Sequence, residues 1–228
     1  MKRRIRGLMV GGFVLVAMVL TTGPAQAGIT TIDFEGLGDV TPITSIAVPG
    51  NVVTFSIVLP TGAVATAYTA QVGGPVTAFV SNDAPAGMQS GTFLTDEAAG
   101  PNLTGEYRMQ FANPVSSLSL DLYDYRVDGG PAAGDQAILT VYSDLFTTAI
   151  GTTSFTIPAS NPIDGNIEHL AIALGSFDIV SAALTFTGAD VGTGIDNVSF
   201  ATVPAPGALI LGAIGSGMVG WFRRRKSL

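Results

Sequence analysis

Apolar and polar positions between residues 28 and 202 alternate in short runs, which Gly, Pro, Asn and Asp interrupt. The clearest run is 115–123, in which three leucines lie on one face and Ser117, Ser119 and Asp121 lie on the other. A period of two residues is typical of a β-strand with one buried and one solvated face. The body of this chain is therefore predicted to be built from strands.

The same pattern, read with the turn residues, predicts about eleven strands. Short strands at regular spacing favour an all-β fold, an antiparallel β-sandwich, over alternating strands and helices. One segment, 167–171, also fits the first turn of a helix. The predicted strands are 29–34, 52–59, 64–72, 76–81, 106–111, 115–123, 137–141, 153–157, 167–174, 179–187 and 195–200.

The first 27 residues carry the ordered parts of a secretory signal peptide. A basic start precedes an apolar run at 8–20, and Ala25 and Ala27 supply the small residues before a cut. This apolar run is too short for a permanent membrane span. We expect a signal helix that signal peptidase removes after Ala27, so that the body is exported.

The last 26 residues form a second ordered signal. A proline motif precedes the apolar segment 207–222 and a basic cluster. As a helix the segment is about 24 Å long, short for a ~30 Å hydrocarbon core unless arginines snorkel. The basic cluster is expected in the cytoplasm and the body outside. The residues of this signal are Val203, Pro204 and Pro206 before the segment and Arg223, Arg224 and Arg225 after it.

This tripartite tail resembles the PEP-CTERM sorting signal of Gram-negative bacteria, with Val-Pro-Ala-Pro where that family has Pro-Glu-Pro. The resemblance implies transient anchoring in the inner membrane and processing by an exosortase-type membrane protease. Delivery to the cell surface or extracellular matrix would follow. The predicted organisation is a signal peptide at 1–27, a β-sandwich domain at 28–202 and a sorting signal at 203–228. An ordinary C-terminal tail anchor is the alternative.

Composition and charge exclude several classes of function. Hydrophobic residues make up 47% of the chain and charged ones 12%, which excludes wholesale disorder. The absence of cysteine excludes disulfides, thiol catalysis and thiolate metal sites. All 17 acidic residues, but only Arg108 and Arg126 of the basic ones, lie between Asp33 and Asp196, so the body carries a charge of −15. Such a body repels phosphate backbones, so nucleic acid is excluded as a partner.

The two ends of the body carry a second resemblance. Residues 31–37 read Thr-Ile-Asp-Phe-Glu-Gly-Leu, and residues 194–200 read Gly-Ile-Asp-Asn-Val-Ser-Phe. Both resemble the first and last strands of jelly-roll carbohydrate-binding modules and related galactose-binding-like domains. The resemblance implies that Glu35 and Asp196 ligate a structural Ca²⁺, an ion that prefers carboxylate and carbonyl oxygens. The alternative is an exposed turn carboxylate and a polar strand start.

Catalytic signatures are weak. A Ser–His–Asp triad would need His169, the single histidine, and no Gly-x-Ser-x-Gly motif is present. We therefore predict a structural or surface histidine and no catalytic residues. Two carboxylate pairs remain open for glycoside hydrolysis. They are Asp121 with Asp124 and Asp96 with Glu97.

The segment 124–135 contains three aspartates and several glycines, but it lacks the spacing of a calcium-binding EF-hand loop. It is interpreted as a flexible loop. Tyr123, Tyr125 and Arg126 lie at its start. The aromatic side chains either fill the core, which we favour, or stack on sugar rings.

Together these patterns predict an exported, non-catalytic protein of the cell surface or of an exopolysaccharide matrix, with a structural or adhesive role and contacts to glycans. Two alternatives stay open. One is a calcium-dependent carbohydrate-binding module, and the other is a secreted hydrolase that uses two carboxylates on a jelly-roll scaffold.

Overall fold

The computed structural model describes residues 28–71, 91–95, 105–123, 134–157, 167–187 and 194–202, and the regular elements in these ranges are β-strands. All strand pairings are antiparallel, which confirms the predicted all-β class. The strands are β1 Gly28–Ile32, β2 Pro42–Ile43, β3 Ser45–Val48, β4 Asn51–Val58, β5 Val64–Ala65, β6 Ala67–Gln71, β7 Thr92–Thr95, β8 Glu106–Tyr123, β9 Gln136–Tyr142, β10 Ala149–Thr156, β11 Ile167–Ala173, β12 Ile179–Phe186 and β13 Gly194–Thr202.

The two predicted terminal helices and the predicted strand 76–81 lie outside the described residues. Within the described ranges, no helix has the length and apolar character needed to cross a membrane.

Strand β8 connects the two layers of the fold. Its residues 107–110 pair with both β4 and β12, whereas its residues 117–123 pair with β11 and, through an irregular register, with β13. Between these halves Ala112, Asn113 and Pro114 are exposed. A strand that bends in this way passes from one packed sheet into the next.

The first layer contains β3, β5, β4, the first half of β8, β12, β9 and β10, and the second contains β11, the second half of β8, β13, β7, β6, β2 and β1. Strands β2 and β3 are separated by Thr44 alone, so the chain changes layer there as well. Apolar side chains from both layers form one core cluster. Phe111 of β8 meets Phe200 of β13 edge to face at 5.2 Å. These strands therefore form a sandwich with shared strands at its corners.

The predicted alternation is present in β8. Leu118, Leu120 and Leu122 are buried in the core, whereas Ser117 and the two outward residues that follow it are partly exposed. Burying one such side chain stabilises the fold by roughly 1.5–3 kcal/mol. Burial of alternate residues thus holds the second half of β8 in a single register.

Some element predictions were wrong in detail. Segments 106–111 and 115–123 are one strand, whereas 64–72 is divided between β5 and β6. The strand predicted at 167–174 is confirmed as β11, whereas the alternative of a helical turn at 167–171 is wrong. Strand β7 was not predicted, because all four of its residues are buried and no alternation marks it.

Candidate functional site

The candidate site lies where the first and last strands of the body meet. Strand β1 pairs with β13 along its whole length, with Gly28 opposite Thr202 and Ile32 opposite Val198. The adjacency implied by the resemblance to jelly-roll modules is therefore present. The chain that leaves β1 continues past Asp196 on the neighbouring strand.

Local backbone conformation orders the acidic residues after β1. Phe34 has a φ of 52°, a region that non-glycine residues seldom adopt, and its ring is buried against Phe55 at 5.6 Å. With Phe34 in the core, Asp33 and Glu35 are exposed on either side of it. The backbone N–H of Thr92 donates to Glu35 Oε1 at 3.1 Å, which ties this carboxylate to strand β7.

Asp196 is a buried carboxylate, with 4% of its surface exposed. The Tyr123 hydroxyl donates to its Oδ2 atom at 3.2 Å, whereas its Oδ1 atom is buried without a hydrogen-bond partner. Burial is the main cause that raises the pKa of Asp196 to about 7. The negative charges of Glu35 and Asp33 raise this pKa further.

Hydrogen bonds connect this buried acid to the surface. The Asn197 amide donates from Nδ2 to Asp121 Oδ2 at 2.8 Å and to the Tyr123 hydroxyl at 3.4 Å. The second oxygen of Asp121, Oδ1, lies 2.8 Å from Nδ1 of His169. The His169 side chain is 61% exposed, so the predicted surface position of this histidine is confirmed.

Tyr123 is buried and packs edge to face on Phe93 at 6.3 Å, so of the two interpretations of this aromatic, burial is confirmed. Burial and the nearby charges of Asp196 and Asp121 raise the pKa of Tyr123 far above its usual range. The hydroxyl therefore remains a proton donor to Asp196 at every physiological pH. Sequence reasoning did not find this role, because the two residues are 73 positions apart.

Glu35 and Asp196 are the predicted ligands for a cation. Among the described residues, no group of three or more His, Cys, Asp or Glu side chains is placed to hold a metal ion. A calcium site here would therefore use two carboxylates together with backbone oxygens. The residues fit this role in one respect, since a cation would supply the missing partner of the buried Oδ1 atom of Asp196.

A second polar cluster lies on the outer surface of the first layer. The Arg108 guanidinium stacks over the Phe146 ring at 4.6 Å and donates from Nε to Glu106. Phe146 has a φ of 65°, and its loop is fixed by Asp144. In the sequence, the feature that could have indicated this cluster is Arg108, one of two basic residues in the body.

Asp144 fixes that loop by accepting hydrogen bonds. The backbone amides and hydroxyls of Thr147 and Thr148 all donate to its carboxylate, at distances up to 3.0 Å. These bonds, the Thr147 hydroxyl first, hold the pKa of Asp144 well below its usual range. Asp144 therefore has a structural role in the turn between β9 and β10.

An open pocket of about 580 Å³ lies at the opposite end of the sandwich from Asp196. It forms where β8 bends and where loops join β9 to β10 and β11 to β12. Sequence analysis missed it because its walls come from segments that are distant in the chain. Its lining residues are Pro114, Ser143, Ile150, Leu174, Ser176, Phe177, Asp178 and Val180.

Several predicted functional positions lie outside the described residues. Of the two predicted carboxylate pairs, Asp96 and Glu97 both lie outside, and Asp124 lies outside whereas its partner Asp121 is described. Most of the 124–135 loop lies outside as well. The others are the signal-cleavage residues Ala25 and Ala27 and the sorting residues Val203, Pro204, Pro206, Arg223, Arg224 and Arg225.

No protein-family model matches the chain, and no curated protein matches it. Among solved structures, the chain is similar to the K1 cleaved adhesin domain of Lys-gingipain from Porphyromonas gingivalis, at 14% identity and a TM-score of 0.45, over 78% of this chain and 99% of that one. The K2 cleaved adhesin domain of Lys-gingipain is 9% identical with a TM-score of 0.45, over 76% of this chain and 99% of that one. The enzymatically active domain of a bacteriophage tailspike protein is 15% identical with a TM-score of 0.31, over 65% of this chain and 19% of that one. Similarity at this level assigns no function to this chain.

Proposed function

We propose that this chain is an exported, non-catalytic β-sandwich protein of the cell surface or of an exopolysaccharide matrix, with a jelly-roll-like body that contacts glycans. Signal peptidase and an exosortase-type membrane protease process it, after transient anchoring in the inner membrane. The observation that carries this proposal is the presence of a signal-peptide pattern before the acidic body and of a sorting-signal pattern after it.

The contacts of two described acids, Asp121 and Asp196, support a non-catalytic role for them. General acid–base chemistry needs carboxylates that reach a substrate. Both oxygens of Asp121 are engaged by His169 and Asn197, and Asp196 is enclosed by the fold. The hydrogen bonds of these two acids thus connect neighbouring strands, which favours structural roles for them.

A calcium-dependent variant of this function is the second candidate, and the buried Oδ1 atom of Asp196 favours it. Glu35 and Asp196 would hold the ion, and Tyr123 would orient the carboxylate of Asp196. The ion would neutralise the mutual repulsion of the two acids and connect the first strand to the last one. In a chain without disulfides, such a connection stabilises the pairing of β1 with β13.

Intact-mass analysis of the full chain, expressed in an exosortase-containing Gram-negative host, tests the sorting proposal. We expect surface-extracted protein that lacks residues 1–27 and has been cut near 203–206. A matched variant with Arg223, Arg224 and Arg225 changed to Gln is expected to stay uncut in the membrane fraction. Cytoplasmic protein with residues 1–27 still attached contradicts the proposal, as does unchanged processing of the variant.

Co-sedimentation of the processed protein with purified exopolysaccharide tests glycan contact. We expect the protein to sediment with the polysaccharide and to remain in solution without it. If the pellet contains the same amount of protein with and without polysaccharide, the proposed contact is contradicted.

A further inference from the structure

The pocket at the bend of β8 is an open concavity between strands and two loops. The backbone N–H of Leu174 donates to Ser116 O at 2.9 Å, which ties the end of β11 to β8. The next residue, Gly175, turns the chain with a φ of 74°, a conformation that glycine adopts without strain. Residues 176–178 then line the pocket. A volume of about 580 Å³ is within the range of small-molecule binding sites.

The walls of this pocket combine two kinds of surface. Five apolar residues supply most of the lining, and Phe177, which is half-buried, offers an aromatic ring. Three polar residues complete it, and the Ser176 hydroxyl donates to Asp178 Oδ2, which fixes that carboxylate. An ionised carboxylate has about four lone-pair directions, so Asp178 retains acceptor capacity. The pocket therefore suits a ligand with an apolar face and hydroxyl donors at its edge.

Charge narrows the ligand class further. Asp178 is the charged residue among those that line the pocket, and the body around it carries −15. An anionic ligand such as a uronate would be repelled by this field. A neutral sugar meets no such barrier, because its C–H face is apolar and its hydroxyls donate hydrogen bonds.

We propose that this pocket binds a neutral, hexose-containing glycan, with a sugar ring packed against Phe177 and hydroxyl groups donating to Asp178. The proposal rests on the glycan contact proposed above and specifies its place and its ligand class. The site is separate from the Glu35 and Asp196 region, since the two lie near opposite ends of strand β11.

Titration calorimetry on the processed protein tests this site. The neutral probes are cellotriose, mannotriose and galactotriose, and the anionic probe is triguluronate. We expect at least one neutral trisaccharide to bind about tenfold more tightly than the uronate. Preferential binding of the uronate, or of a hexanol probe, would overturn the assignment.

Matched variants locate the binding. Phe177→Ala and Asp178→Asn are each expected to weaken the neutral trisaccharide by about tenfold or more, a change of about 1.4 kcal/mol. Phe177→Tyr keeps the ring and is expected to retain binding. Leu145→Ala removes an exposed apolar side chain outside the pocket, and Glu168→Gln removes a carboxylate at the other end of β11. Both controls are expected to bind like the wild type.

Two outcomes separate this proposal from the broader one. If the wild type binds exopolysaccharide and neither pocket variant changes that binding, the pocket assignment fails and the glycan contact stands. If the protein is found in the cytoplasm yet its pocket binds the trisaccharide, the surface role fails and the pocket assignment stands.

Discussion

The two ends of strand β11 differ in how they use polar side chains. At the Ile167 end, His169, Asp121 and Tyr123 join a hydrogen-bonded network that leads to the buried Asp196. At the Ala173 end, the sandwich opens into a pocket with mainly apolar walls and a carboxylate at its rim. At the first end the protonation of a buried carboxylate affects the stability of the fold, whereas the second end has space for a ligand. Changes at the first end should therefore alter stability, and changes at the second should alter binding.

Calcium removal is expected to have the largest effect on stability. If Glu35 and Asp196 hold Ca²⁺ at about 100 times its dissociation constant, the ion contributes about 2.7 kcal/mol. Chelation should then lower the melting temperature by roughly 5–10 °C. Differential scanning calorimetry with and without EDTA measures this shift.

The control for calcium removal is Asp196→Asn, in which EDTA should no longer change the melting temperature. An unchanged melting temperature in wild-type protein purified with calcium would remove Glu35 and Asp196 as calcium ligands.

The next largest effect is expected for Tyr123→Phe. This change removes the hydroxyl that donates to Oδ2 of the buried Asp196 carboxylate. The loss should be about 1–3 kcal/mol in urea unfolding. Tyr142→Phe, on the outer surface of the first layer, serves as the control. Equal stability of Tyr123→Phe and wild type would mean that the hydrogen bond has no net effect.

A comparable effect is expected from pH in the chelated protein. The pKa of Asp196 is about 7 in the folded state and near 3.8 when the chain is unfolded. Between these values the folded state binds the extra proton, so stability falls as pH rises from about 4 to about 7 and is then level. Urea unfolding at pH 5.5 and pH 8 should show higher stability at pH 5.5.

Because other carboxylates also titrate, the difference in stability between pH 5.5 and pH 8 is compared between the wild type and two variants. Asp196→Asn should lose most of the preference for pH 5.5, and Asp178→Asn at the pocket rim should retain it. The same pH profile in wild type and Asp196→Asn would assign the effect to other groups.

The smallest effect is expected for Ser176→Ala at the pocket end. The hydroxyl donates to Asp178 on an exposed loop, where water replaces a lost hydrogen bond. The change in unfolding free energy should stay within about 0.5 kcal/mol. A loss as large as that of Tyr123→Phe would show that the two ends do not differ in this way.

Local signals in the sequence predicted the parts of this molecule that depend on neighbouring residues. The three alternating leucines predicted the second half of β8, because burial of every second side chain is visible in a short window. The proximity of the first and last strands was predicted only through the resemblance at the two ends of the body. The long β8 was predicted as two strands, since the exposed segment at 112–114 interrupts the pattern without ending the strand.

The remaining features depend on contacts that no local pattern encodes. The partners Tyr123 and Asp196 lie on adjacent strands because of strand order, which short windows do not determine. Phe93 belongs to a strand that is buried on both faces, and a Cβ atom at Gly194 would overlap its ring. Such close approaches arise only when the layers are assembled.

The passage of β8 through both layers has a mechanical consequence. Each half of this strand is the hydrogen-bonded neighbour of two others, so a force that peels away one layer must also break the ladder of the other. The sandwich should yield as one unit under shear and resist partial opening by surface proteases. For a body without disulfide cross-links, continuity of a single strand would then provide mechanical toughness.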